Sequence, residues 1–140
     1  MSRRGREMAE RARSLVGTPY RPQGRDPERG LDCVGTAAAA AGIPAEKVRR
    51  DYALRGQRRA ELEHELCEFG WRPMPGRVVL PGDVLVCRTG PAQLHLVVAV
   101  GGTFVHADAG LRRVVERPFP APWPIESIWR FAPWDEEGED

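Results

Sequence analysis

The apolar residues of this chain change period near Val78, and that change limits what it can fold into. Before it they recur at helical spacing. After it they come in short runs broken by Gly and Pro, which is the pattern of strands. Val84-Leu85-Val86-Cys87 follows the turn Pro81-Gly82-Asp83. Leu94 to Val100 forms a second run, and Gly101-Gly102 reads as a two-residue hairpin turn into a third, Thr103 to Ala107. Leu111 to Arg117 is a fourth, and Ile128 to Phe131 a fifth. Helices followed by antiparallel strands give an α+β plan, with N-terminal helices packed on a small antiparallel sheet of about five strands.

The first half reads as helices and loops. Residues 6 to 16 predict a helix with Met8, Ala12, Leu15 and Val16 on one side, ended by Gly17-Thr18-Pro19. Residues 20 to 31, with Pro22, Gly24, Pro27 and Gly30, predict a loop. A second helix starts near Asp32 or Cys33, with Asp32 as a candidate N-cap, and stops at Gly42. Ala45 to Gly70 is helical in pieces, the later piece striped by Leu62, Leu66 and Phe69. Trp71 to Gly76 reads as a Pro-rich connection. The 140 residues suit a single domain, 1–140, with one core, and residues 1–5 and 135–140 are expected to fray.

Net charge is +1, which gives no case for a bulk nucleic-acid or membrane binder. Arg49, Arg50, Arg55, Arg58 and Arg59 read as a solvated helix face. Three cysteines without a Cys-x-x-Cys pair support neither a disulfide framework nor a structural zinc. The basic N-terminus is followed by no apolar run, so neither a secretory signal nor a membrane span is expected.

Cys33 would lie in the first turn of the second helix, where N–H groups and the helix dipole favour a thiolate. It reads either as a small buried hydrophobe beside an alanine-rich helix or as a nucleophile. Cys67 and Cys87 read as core. His95 interrupts Leu94-His95-Leu96-Val97-Val98, pointing with Val97 away from Leu94 and Leu96. It is either a satisfied structural histidine or a general base for Cys33. Across the Gly101-Gly102 turn, residue 95 faces about 108 and residue 106 about 97, so His106 shares its face, diagonally displaced. One imidazole then fixes the other's tautomer, the orienting role in a triad. Two histidines would also suit a metal, with Asp108 the nearest carboxylate, but nothing is placed to complete the set and no metal is expected. His64 reads as solvated. Arg25, Asp26, Glu28 and Arg29 read as surface charge or as cleft lining.

These pieces resemble the NlpC-type cell-wall cysteine peptidases of the papain-like superfamily. The resemblance rests on Gly17-Thr18-Pro19-Tyr20, Asp32-Cys33-Val34-Gly35, Leu80-Pro81-Gly82-Asp83-Val84, the strand Leu94 to Gly101 and Phe104-Val105-His106-Ala107, in that order, over residues 6 to 131. It implies a papain-like NlpC-type fold and a cysteine endopeptidase or amidase. The substrate would be peptide bonds of peptidoglycan stem peptides, cleaved without metal or cofactor. It also implies Cys33 as nucleophile, His95 as base and His106 as orienting group. Tyr20 would help shape the oxyanion or substrate site, and Asp32 would contact the substrate's amine. The Cys33 N–H is a candidate oxyanion donor.

Val34 stands where many members carry Ser, and segment 45–76 matches no family motif. A short domain without export signal is most similar to the phage-associated branch. That implies synthesis in a bacterial cytoplasm and phage-tail or gene-transfer-particle proteins as partners; the near-zero net charge leaves no nucleic-acid or membrane partner expected. The alternatives are a catalytically weak or inactive phage-tail or wall-binding module of the same fold, or an amidase or acyltransferase on a non-wall substrate.

Overall fold

The computed structural model describes residues 2–48, 58–76 and 78–133. Helix α1 spans Arg3–Ser14. It starts ahead of the residue-6 boundary expected from sequence because Ser2 caps it, the Gly5 N–H donating to Ser2 Oγ at 2.8 Å. Residues 3–5, expected to fray, are therefore helical. Met8, Ala9 and Ala12 face the core. Val16, assigned to the same side, lies past the helix end and is exposed. Gly17, with φ +97°, turns the chain away.

The segment read as a loop over 20–31 carries a small hairpin, β1 (Arg25–Asp26) and β2 (Gly30–Leu31). Helix α2 follows at Cys33–Ala40. All of its residues except Ala39 are buried, which its run of small side chains permits. A 3-10 turn spans Ala45–Lys47, and helix α3 spans Arg59–Glu68, burying Leu62 and Leu66. Cys67, expected in the core, is exposed. It sits one residue, about 100°, round the helix from Leu66, off the buried stripe. The Arg run falls partly outside the described residues; Arg58 and Arg59 are exposed and ion-paired to Glu61 and Glu63.

The main sheet has six antiparallel strands. They are β3 (Trp71–Pro73), β4 (Val84–Gly90), β5 (Gln93–Ala99), β6 (Thr103–Asp108), β7 (Arg113–Pro118) and β8 (Ile125–Phe131). Their order is β3-β8-β4-β5-β6-β7. The strand missing from the sequence reading is β3, hidden in the Pro-rich connection. It pairs with β8 at the sheet edge, where Pro73 is tolerated.

One face of the sheet, with Val84, Val86, Leu94, Leu96, Val98, Val105 and Val114, packs on α1, α2 and α3. The other, with Leu85, Cys87, Val97, Phe104 and Ile128, is covered by Met74, Val79, Phe119, Ala121 and Trp123. The Pro81–Asp83 turn ties the helical layer to the sheet. Asp83 is buried and takes a two-pronged contact from Arg130 at 2.8 and 2.9 Å. Gly82, at φ +93°, leaves room for the start of α1, because a Cβ there would meet Gly5 O at 2.6 Å.

Candidate active site

Asp32 and Gly35 set the position of Cys33. Asp32 caps α2, accepting the Gly35 N–H on Oδ1 at 2.9 Å. The same oxygen accepts from Arg25 Nη1 at 2.7 Å, and Oδ2 accepts the Gln23 N–H at 3.0 Å. The Arg25 side chain is only 1% exposed, so a loop charge that sequence could not separate from surface charge is a buried support of the helix start. Gly35 permits the close approach of that loop, since a Cβ there would collide with Gly24 O.

Cys33 is the first residue of α2 and is buried. Burial pushes its thiol well above the usual range, and the Asp32 charge adds to this. The backbone of Leu96, the Arg25 charge and the backbone of Cys33 itself pull the other way. The pull of the helix start toward a thiolate is thus opposed by burial. Desolvation of the sulfur outweighs the dipole.

The hairpin register is the expected one: Val98 pairs with Val105 and Ala99 with Phe104. His95 Nε2 and His106 Nδ1 lie 2.9 Å apart, the rings edge to face. With Nε2 engaged, Nδ1 is the nitrogen His95 has left to take a proton. If His95 takes a proton on Nδ1, then it donates from Nε2–H and His106 carries its own proton on Nε2, a buried nitrogen without a hydrogen-bond partner among the described residues. Desolvation and the neighbouring His106 push the His95 pKa down to about 3, against the raising influence of Asp108. His106 is also lowered, by burial and by Arg117, with Asp108 opposing. Both rings are neutral at neutral pH.

Tyr20, Asp32, Cys33, His95 and His106 all line one cavity of about 480 Å³. The Tyr20 phenol is raised by burial and by the nearby Cys33 and Asp32. Trp123 and Thr89 also line this cavity, where sequence gave them no part, and so does Asp108, considered from sequence only as a possible metal ligand beside the histidines. Trp123 stands edge-on to both imidazoles, with centroids 5.5 Å from His95 and 5.3 Å from His106. Its only sequence signal is an aromatic locked between Pro122 and Pro124. Elsewhere, His64 is exposed and lies 3.6 Å from Glu68. Among the described residues no three His, Cys, Asp or Glu side chains group as metal ligands, and no helix is long and apolar enough to cross a membrane.

No protein-family model and no curated protein sequence matches the chain. Solved structures do. NlpC2 from Trichomonas vaginalis superposes with a TM-score of 0.69 at 21% identity, over 94% of this chain and 47% of that one. The peptidoglycan hydrolase RipB from Mycobacterium tuberculosis gives 0.61 at 20%, over 94% of this chain and 66% of that one. The P60 domain of an antigen from M. avium subspecies paratuberculosis gives 0.59 at 19%, over 94% and 96%.

This chain has the NlpC/p60 fold. It spans about half the length of NlpC2. An NlpC/p60 domain is α+β, with helices against an antiparallel sheet, as the sequence plan expected. The sixth strand of the main sheet extends that plan and leaves it intact.

Proposed function

We propose that the protein is a cysteine peptidase or amidase that cleaves amide bonds in peptidoglycan stem peptides. The observation that carries this is the His95–His106 hydrogen bond at 2.9 Å opening onto the same cavity as Cys33. The NlpC/p60 fold, shared with a peptidoglycan hydrolase, supplies the substrate class.

In this reading substrate binding displaces water from the cleft. The Cys33 proton passes to His95 Nδ1 while Sγ attacks the carbonyl carbon, and N–H groups at the start of α2 receive the developing oxyanion. The C–N bond then breaks and His95 returns the proton to the leaving amine nitrogen. Water, deprotonated by His95, attacks the thioester and releases the acid and the thiol. His106 holds His95 in the required tautomer. Tyr20 borders the scissile carbonyl. Asp32, held by Arg25, offers its remaining capacity on Oδ2 to a substrate amine.

Purified protein incubated with muropeptides, with products read by mass spectrometry, tests the assignment. Cleavage is expected for the parent and not for Cys33→Ala. Equal cleavage by both removes Cys33 from the reaction. A weakly active module of the same fold is the second reading, and the burial of the Cys33 thiol favours it. Absence of turnover on any muropeptide would select it. The particle setting belongs to the same proposal: co-purification of the chain with phage-tail or gene-transfer particles tests it.

A further inference from the structure

The pair His95–His106 has a physical shortcoming as a relay. In a triad closed by a carboxylate, the third member balances the imidazolium that forms when the base takes a proton. Here the third member is a neutral imidazole, already depressed by burial and by Arg117. It can orient His95 but cannot neutralise it. Once sulfur is committed to an acyl bond, the charge on His95 has no thiolate opposite it either.

Asp108 is placed to answer this. It lies two residues beyond His106 on β6, so both side chains leave the same face of the strand. Counted from the Val98–Val105 pair, it stands at the level of His95 on β5. It lines the cavity with both histidines. Its Oδ1 is fixed by the Leu111 N–H at 3.0 Å, in the turn between β6 and β7. The carboxylate is therefore held by a backbone N–H.

We infer that Asp108 is a positioning residue for the reaction, the fixed negative charge that stabilises the His95 imidazolium through space and across His106. This rests on the proposed cysteine chemistry and extends it from three residues to four. The charged and titratable groups around the pair act in opposite directions. Asp108 favours the protonated form of both rings, whereas Arg117, stacked 5.6 Å over Trp123, disfavours it at His106. On the α2 side, Asp32 is already matched by Arg25. Tyr20 is held neutral by its raised pKa.

The test compares the parent with Asp108→Asn and Asp108→Glu in the full chain. Asn keeps an acceptor for the Leu111 N–H and removes the charge. Glu keeps the charge and lengthens the arm. Two rates are read at pH 7: alkylation of Cys33 by iodoacetamide, a neutral probe, followed by peptide mass spectrometry, and turnover of muropeptides. The Asn variant is expected to lose about tenfold in both rates, the effect of one pKa unit, with KM and unfolding midpoint unchanged. The Glu variant is expected to recover most of the loss.

An Asn variant at parental alkylation rate, or a Glu variant slower than the Asn variant, overturns the inference, because the role is then the hydrogen bond to Leu111. If the Asn variant fails to fold, the Glu variant decides alone: a parental alkylation rate supports the charge role and a tenfold loss overturns it. The two readings separate cleanly. Muropeptide cleavage by the parent with no Asn effect sinks the Asp108 role and leaves the hydrolase reading standing. A tenfold Asn effect on alkylation without cleavage by any form does the reverse.

Discussion

Arg25 Nη1 meets Asp32 Oδ1 at 2.7 Å, and only 1% of the Arg25 side chain and 14% of the Asp32 side chain remain exposed. A guanidinium thus lies beneath the carboxylate that caps the helix carrying Cys33. Removing it leaves a largely buried anion uncompensated. Arg25→Met is expected to cost about 3 kcal/mol in urea unfolding, as broken buried pairs do. It should also slow Cys33 alkylation, because the Asp32 charge then acts on the sulfur without its counterweight.

Gly35 is expected to be intolerant of any side chain. A Cβ there runs into Gly24 O, which is backbone and cannot swing aside. Gly35→Ala should lower stability by about 2 kcal/mol, in the range of overpacked sites. Thermal melting checks the size. Muropeptide turnover should fall with it, since the strain lands between the Gln23–Arg25 loop and the start of α2.

The three thiols are expected to react in an order set by burial. Cys67 is exposed, while Cys33 and Cys87 are buried with raised thiol pKa values, Cys87 to about 12. Iodoacetamide at pH 7 should label Cys67 first, Cys33 slowly and Cys87 not at all in the folded protein. Labelling of Cys33 ahead of Cys67 would show that the resting site already holds a thiolate.

Stability should depend on His95 with a definite sign. Its folded pKa is depressed from 6.5 to about 3, so between those values the unfolded chain binds the extra proton. The contribution of His95 is full above pH 6.5 and is lost as pH falls toward 3, with a slope of up to about 1.4 kcal/mol per pH unit. Urea unfolding of the parent and of His95→Asn between pH 4 and pH 7 isolates it from the carboxylates. The parent should lose more stability on acidification than the variant.

Trp123 shields the histidine pair from water on the face away from α2. Trp123→Ala is expected to let water reach the rings and so relieve their desolvation. The His95 pKa should then move upward from about 3, bringing its titration into the range that histidine ring NMR follows above pH 4. Stability should fall by about 2 kcal/mol, less than for a fully buried Trp, because this one is half-buried. An unchanged His95 titration would mean that groups other than Trp123 supply the desolvation.

The pattern of residues determined a good deal of this protein by itself. The change of period at Val78 set helices against an antiparallel sheet. The Gly101-Gly102 turn set the register that puts His106 diagonal to His95, because strand parity leaves one choice of face once the turn is fixed. Asp32 before an alanine run marked the helix start, since capping is a local interaction.

Other features depend on contacts distant in sequence, and only the tertiary structure decided them. Strand β3 exists because β8 offers it a partner across more than fifty residues, which overrides the poor strand propensity around Pro73. Burial of Arg25 follows from where the β1–β2 hairpin lies against α2, and local composition carries no sign of that. The burial of Cys33 was open from sequence for the same reason: a helix dipole is local, but the desolvation that pushes the thiol up comes from the fold closing over the sulfur. Trp123 comes to the histidines on a loop, brought there by the fold rather than by any spacing along the chain, whereas Asp108 follows from the same hairpin register that sets His106.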